Sequence, residues 1–175
     1  VTSYETQIPE LEKKFKWNYL TPPKSLASEK KSTEKVINRT LTTLYGKKYY
    51  TKVKNVILLQ PTSPLRTTNN INQAKRKFKR ERYDSLFSGF LSKKFIWTNN
   101  NKLKSLSYNF KKRERTQDMK NLIFENGAIF IFSTKGFYKA QNRLFGKIGF
   151  FEMEEKQSLD LDTKQDFNLL DKIIN

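Results

Sequence analysis

Four consecutive apolar residues, Val56-Ile57-Leu58-Leu59, run directly into Gln60-Pro61-Thr62-Ser63-Pro64-Leu65-Arg66, and this junction restricts the fold more than any other feature of the chain. An apolar run without polar alternation suits a strand covered on both faces, as in a mainly parallel sheet. Two prolines stiffen the turn behind it, and Thr67-Thr68 opens a helical pattern with Ile71, Ala74 and Phe78 on one face. Strand, polar loop and helix in this order predict an α/β architecture, with the loop at the carboxyl edge of the sheet. Gln60, Thr62 and Ser63 can present hydrogen-bonding groups to a ligand there; taken alone, they fit a capped strand-to-helix turn with no ligand slightly better.

The remaining pattern extends the sheet. Gly127-Ala128-Ile129-Phe130-Ile131-Phe132 reads as a second buried strand, followed by Ser133-Thr134 and a short helix through Tyr138. Residues 85–90 and 148–153 are further strand candidates, and 95–98 and 106–108 weaker ones. Residues 5–15 carry Ile8, Leu11 and Phe15 at helical spacing, and 18–23 read as an extended piece closing in a Pro-Pro turn. Ser32 is placed to cap a helix that buries Val36, Ile37, Thr40, Leu41 and Leu44, turns Lys35, Asn38 and Arg39 to water, and ends near Gly46. In the last helix Thr163 and Asp166 have capping-box spacing, and Phe167, Leu170 and Ile174 form a stripe expected to pack beside the sheet. No repeat or linker divides the chain, so one domain over 1–175 is expected, with 95–118 as an extended excursion.

Composition removes several chemistries. With no cysteine there are no disulfides, thiol nucleophiles or thiolate metal sites, and with no histidine there is no imidazole base or zinc ligand. Any metal must sit on oxygen. Apolar runs fall far short of the roughly 20 residues of a membrane-spanning helix, and no secretory signal is visible, which makes the cytoplasm the default expectation. Thirty-five Lys and Arg against seventeen Asp and Glu give a net charge of +18, an attraction for nucleotides, polyphosphates or nucleic acid. The basic residues are dispersed, and no zinc-finger, KH or RNP pattern accompanies them, which argues against a dedicated nucleic-acid surface.

The stretch Gln60 to Arg66 resembles the signature of the acylneuraminate cytidylyltransferases. The resemblance continues through Asp84-Ser85, Phe95-Ile96-Trp97, the block Arg113 to Asp118, and Glu125-Asn126-Gly127-Ala128-Ile129-Phe130-Ile131. It extends to Asn142-Arg143-Leu144-Phe145-Gly146 and to Ser158-Leu159-Asp160-Leu161-Asp162-Thr163 with Asp166-Phe167, while residues 3–15 and Ser25-Leu26-Ala27 match earlier segments. It implies a three-layer, Rossmann-like nucleotide-sugar transferase fold and a homodimer built through residues 95–118. The implied activity joins CTP to a nine-carbon sugar acid, N-acetylneuraminate first among the candidates, with magnesium assistance and release of pyrophosphate.

Residue by residue, the resemblance implies substrate contacts from Gln60, Thr62, Ser63, Arg66, Arg113, Arg115, Gln117, Asn126, Gly127 and Phe130, and catalytic metal ligation by Asp160 and Asp162. Alternation at a strand end would let the two carboxylates converge while Leu159 and Leu161 point inward. Two hard carboxylates suit magnesium; a solvated Asp-Leu-Asp segment capping the last helix is the plain structural alternative.

Two departures stand out. Arg115-Thr116-Gln117-Asp118 has one cation where the family often has two adjacent arginines, and the family's first strand and Gly-rich, basic nucleotide loop have no counterpart. The expectation is an N-terminally incomplete fold that turns over poorly by itself. Related functions remain open: a pseudaminic or legionaminic acid cytidylyltransferase, or a noncatalytic basic binding protein derived from the same fold.

Overall fold

The computed structural model describes residue 20 and residues 32–174. The helix predicted over 5–15, the link at 25–27 and, apart from Leu20, the extended piece at 18–23 lie outside the described residues. The chain forms two compact units, residues 1–56 with 132–145 and residues 57–131 with 146–175.

In the first unit, helix α1 (Thr33–Tyr45) buries Ile37 and Leu41 and ends at Gly46, whose φ of 85° lets the chain leave the helix without steric conflict. Three expectations for α1 need correction. Ser32 occupies the cap position without a side-chain bond, Leu44 is half exposed, and Asn38 accepts a 3.0 Å hydrogen bond from Tyr49 instead of facing water. Tyr49 draws it inward: its ring is fully buried, edge-on to Tyr50 and Tyr138, and a buried hydroxyl requires a partner. The short helix of this unit, α3 (Thr134–Ala140), begins with a buried threonine whose hydroxyl donates to the carbonyls of Val53 and Lys54. Ser133, at the cap position, makes no side-chain cap bond.

The second unit carries most of the sheet. Among the described residues, strands β1 (Asn55–Leu58), β2 (Ser85–Ser92), β5 (Leu122–Ser133) and β6 (Ile148–Glu152) form one sheet in the order β1-β5-β2-β6, with β2 and β6 parallel. Helix α2 (Thr68–Arg80) covers it, with Ala74 and Phe78 packed against Leu86, Ala128, Ile129, Ile131, Phe151 and Met153. Its entry is better specified than the sequence suggests: Thr67 and Asn70 form a reciprocal capping box.

Strand β1 is not covered on both faces as expected. It lies at the edge of the described sheet, and Ile57 and Leu59 remain over a third exposed. The excursion also differs: its strands are β3 (Trp97–Asn100) and β4 (Lys102–Ser105), an antiparallel hairpin, rather than 95–98 and 106–108. Asn101, at φ 63°, makes the turn in the left-handed conformation that asparagine tolerates. The last helix, α4 (Lys164–Ile174), forms as predicted but buries no residue, and Phe167 is 54% exposed. No described helix is long and apolar enough to cross a membrane.

Candidate functional site

The loop after β1 is held from three directions within the second unit. Arg66 donates through Nη1 to the carbonyls of Gln60 (3.0 Å) and Ala128 (2.7 Å), clamping the loop to β5. Burial lowers the guanidinium's pKa from its usual high value. Ser63 is buried and its hydroxyl reaches the Asn126 carbonyl at 3.5 Å. Thr62 offers its carbonyl to the Leu161 N–H at 2.9 Å.

That last bond brings the acidic pair to the loop, since Leu161 lies between Asp160 and Asp162. The segment is extended but belongs to no strand, so the expected strand-end alternation is replaced by one backbone bond to Thr62. Asp160 is half buried and its Oδ1 is enclosed without a hydrogen-bond partner, whereas Asp162 is exposed. An enclosed carboxylate oxygen lacking a donor is costly unless a cation or donor meets it, so this oxygen set fits a hard divalent ion. Among the described residues, no cluster of three or more acidic side chains completes a cage, which leaves further ligand positions to water or phosphate oxygens.

Asn126 was expected to meet substrate, yet its side chain is buried and fully engaged. Oδ1 accepts from the Ser88 hydroxyl (2.7 Å) and the Ala128 N–H (3.1 Å), while Nδ2 donates to Ser158 Oγ (2.8 Å) and lies 3.5 Å from Met153 Sδ. Phe130 is likewise buried in β5, at 1% exposure, and Arg66 is committed to carbonyls; these three act as supports in this arrangement, because their polar or apolar surfaces are already occupied by protein. Gly127 has a φ of 69°, and a Cβ there would stand 2.3 Å from Gln60 Oε1. The glycine therefore seats the Gln60 side chain.

The cations of the excursion are not joined to this group. Arg113 stacks on Phe95 with its guanidinium carbon 3.8 Å from the ring centre, Arg115 precedes the short turn Thr116–Asp118, and the Gln117 carbonyl accepts from Lys93. Among the described residues no hydrogen bond links Arg113, Arg115 or Gln117 to residues 60–63 or 158–162. A depression of about 390 Å³ in the first unit, lined by Ser32, Glu34, Lys35, Asn38, Arg39, Thr42 and Gln141, contains none of the predicted site residues. Sequence reasoning missed Ser88, although a serine inside the apolar run Leu86-Phe87-Ser88-Gly89-Phe90 signals a buried polar bond.

These features define a Rossmann-like α/β fold with a polar loop beside an acidic pair. The crystal structure of 4-diphosphocytidyl-2C-methyl-D-erythritol synthase from Anaerococcus prevotii shares the fold, with a TM-score of 0.65 over 99% of this chain and 76% of that one at 9% identity. No protein-family model matches the chain. In sequence the chain is similar to N-acylneuraminate cytidylyltransferases. It is 29% identical to the N-acylneuraminate cytidylyltransferase of Escherichia coli over 174 residues, 97% of this chain and 40% of that protein. It is 29% identical to N-acylneuraminate cytidylyltransferase B of Danio rerio over 114 residues, 62% of this chain and 27% of that protein. The N-acylneuraminate cytidylyltransferase of Streptococcus agalactiae serotype III is also 29% identical, over 125 residues that make up 67% of this chain and 30% of that protein. The chain thus spans well under half the length of each of these relatives.

Proposed function

We propose that this chain supplies the metal and sugar-acid side of an enzyme that transfers a cytidylyl group from CTP to the anomeric hydroxyl of a nine-carbon sugar acid, N-acetylneuraminate, releasing pyrophosphate. The observation that carries the reading is the Leu161–Thr62 bond, which sets Asp160, with its unpartnered Oδ1, beside the polar loop. Asp160 and Asp162 would hold magnesium, which when bound supplies charge neutralisation for the reacting phosphates and the departing pyrophosphate.

The chain's own residues then divide the remaining work. Gln60 presents an uncharged amide that can orient hydroxyl or carboxylate groups of the acid, and Gly127 keeps that amide in place. Arg66 fixes the loop so that Thr62 and Gln60 keep their separation from the acidic pair. Residues 95–118 expose Trp97, Leu103, Leu106 and Phe110, an apolar set that supports a homodimer contact through this excursion.

The test is pyrophosphate release with CTP, magnesium and a panel of acids, using the chain and longer forms of the protein. Turnover with N-acetylneuraminate, lost by about 100-fold or more in Asp160→Asn and Asp162→Asn, is the expected result. Preference for pseudaminic or legionaminic acid would move the substrate assignment within the class. Retained turnover in both substituted proteins would sink the metal assignment, and salt-sensitive phosphate binding without turnover would favour a noncatalytic basic protein.

A further inference from the structure

We propose that Ser158 and Asn126 form a positioning relay that sets Asp160, an inference that rests on the reading of Asp160 as a metal-facing carboxylate. The relay begins inside the sheet. The Ile129 N–H donates to Ser88 Oγ (2.8 Å), and the Ser88 hydroxyl donates to Asn126 Oδ1 (2.7 Å). Because the Ala128 N–H also points at Oδ1, at 3.1 Å, and can only donate, the amide has one orientation: oxygen toward the strands, nitrogen outward.

Asn126 Nδ2 then donates to Ser158 Oγ at 2.8 Å, and Ser158 donates in turn to the Glu154 carbonyl at 3.0 Å. The Ser158 hydroxyl is thereby fixed as acceptor on one side and donor on the other. It ends the turn Glu155–Ser158, and only Leu159 separates it from Asp160. On the far side of Asp160, the Leu161 N–H is held by Thr62. The backbone of Asp160 consequently runs between two anchored neighbours.

This bracing accounts for an otherwise unfavourable feature. Desolvating a carboxylate oxygen costs free energy, so a segment free to move would carry the half-buried Asp160 toward water. Held as it is, the segment keeps Asp160 beside the Thr62 loop. Partners that orient a ligand residue in this way typically influence metal affinity by about 10- to 100-fold.

Ser158→Ala removes the hydroxyl at a half-exposed position, and Ser158→Thr retains it. Two readouts on the intact chain separate the possibilities: the Mn²⁺ dissociation constant from water-proton relaxation, and hydrogen exchange of the Leu161 amide by NMR. S158A is expected to weaken Mn²⁺ binding about 10-fold and to speed Leu161 exchange about 10-fold, with β5 amides unchanged and both effects reversed in S158T. Unchanged Leu161 exchange in S158A overturns the relay whether or not Mn²⁺ binds. Loss of protection spread equally through β5, or failure of S158T to restore either readout, also counts against it. If the unsubstituted chain binds no Mn²⁺ while S158A still loosens Leu161, the metal reading fails and the relay stands.

Discussion

Gly127 shows how much one residue's conformation can decide. Its backbone occupies the left-handed region, and a methyl group would meet the Gln60 amide at 2.3 Å. Gly127→Ala should therefore act twice: a backbone cost of about 1–2 kcal/mol, and displacement of the Gln60 amide. Denaturant unfolding measures the first. Under the proposed reaction, a rise in KM for the sugar acid larger than that for CTP measures the second, and equal changes in the two would place Gln60 elsewhere. The motif around Gly127 is visible in the sequence; its job as a seat is not, because that depends on a loop far away in the chain. Asn126 gives the complementary lesson. Its identity marks it as chemically capable, but only its surroundings reveal that both ends of the amide are already engaged.

At the scale of elements, helix periodicity tells which residues share a face, and whether that face is covered depends on packing. The stripes of α2 and α4 look alike in sequence, yet Phe78 is 6% exposed and Phe167 54%. Phe78→Ala should cost about 3–5 kcal/mol by denaturant unfolding. Phe167→Ala should stay within about 0.5 kcal/mol, and comparable losses would mean that α4 is packed in solution. The cap of α4 makes a separate prediction. Asp166 Oδ2 accepts from the Thr163 hydroxyl and N–H and from the Asp162 N–H, and the Thr163 hydroxyl bond, followed by the Thr163 N–H, holds the carboxyl below its usual pKa. A depressed folded-state pKa means the cap contributes above the unfolded value, about 3.9, and is lost as pH falls through the folded value. The Thr163 amide shift should titrate with a midpoint below about 3.9 and lose that step in Asp166→Ala; a midpoint above it would contradict the cap. Thr163 and Asp166 were readable by spacing alone because the bond is local. The hairpin at 97–105 was misplaced because no glycine marks it, and the turn instead uses Asn101.

For the whole molecule, a net charge of +18 and the Arg66 clamp on neutral carbonyls at the loop have different physical origins. The α/β class was readable from the chain because strand, loop and helix follow one another locally. The edge position of β1 among the described strands was not, since strand order is a property of the assembled sheet. The long-range field should gather CTP, so under the proposed activity KM for CTP should rise steeply between about 50 and 200 mM salt, where the screening length shrinks to below about 10 Å. A flat dependence would remove surface charge from the account of encounter.

Arg66 leads to a different expectation. Its two partners are carbonyl dipoles, not counter-charges, and it is partly withdrawn from solvent. Mobile ions have little to compete for at such a contact, so the loop should keep its shape in brine that abolishes the attraction of the surface. Ionic strength then becomes a dissecting tool: whatever it weakens belongs to arrival, and whatever it spares belongs to geometry.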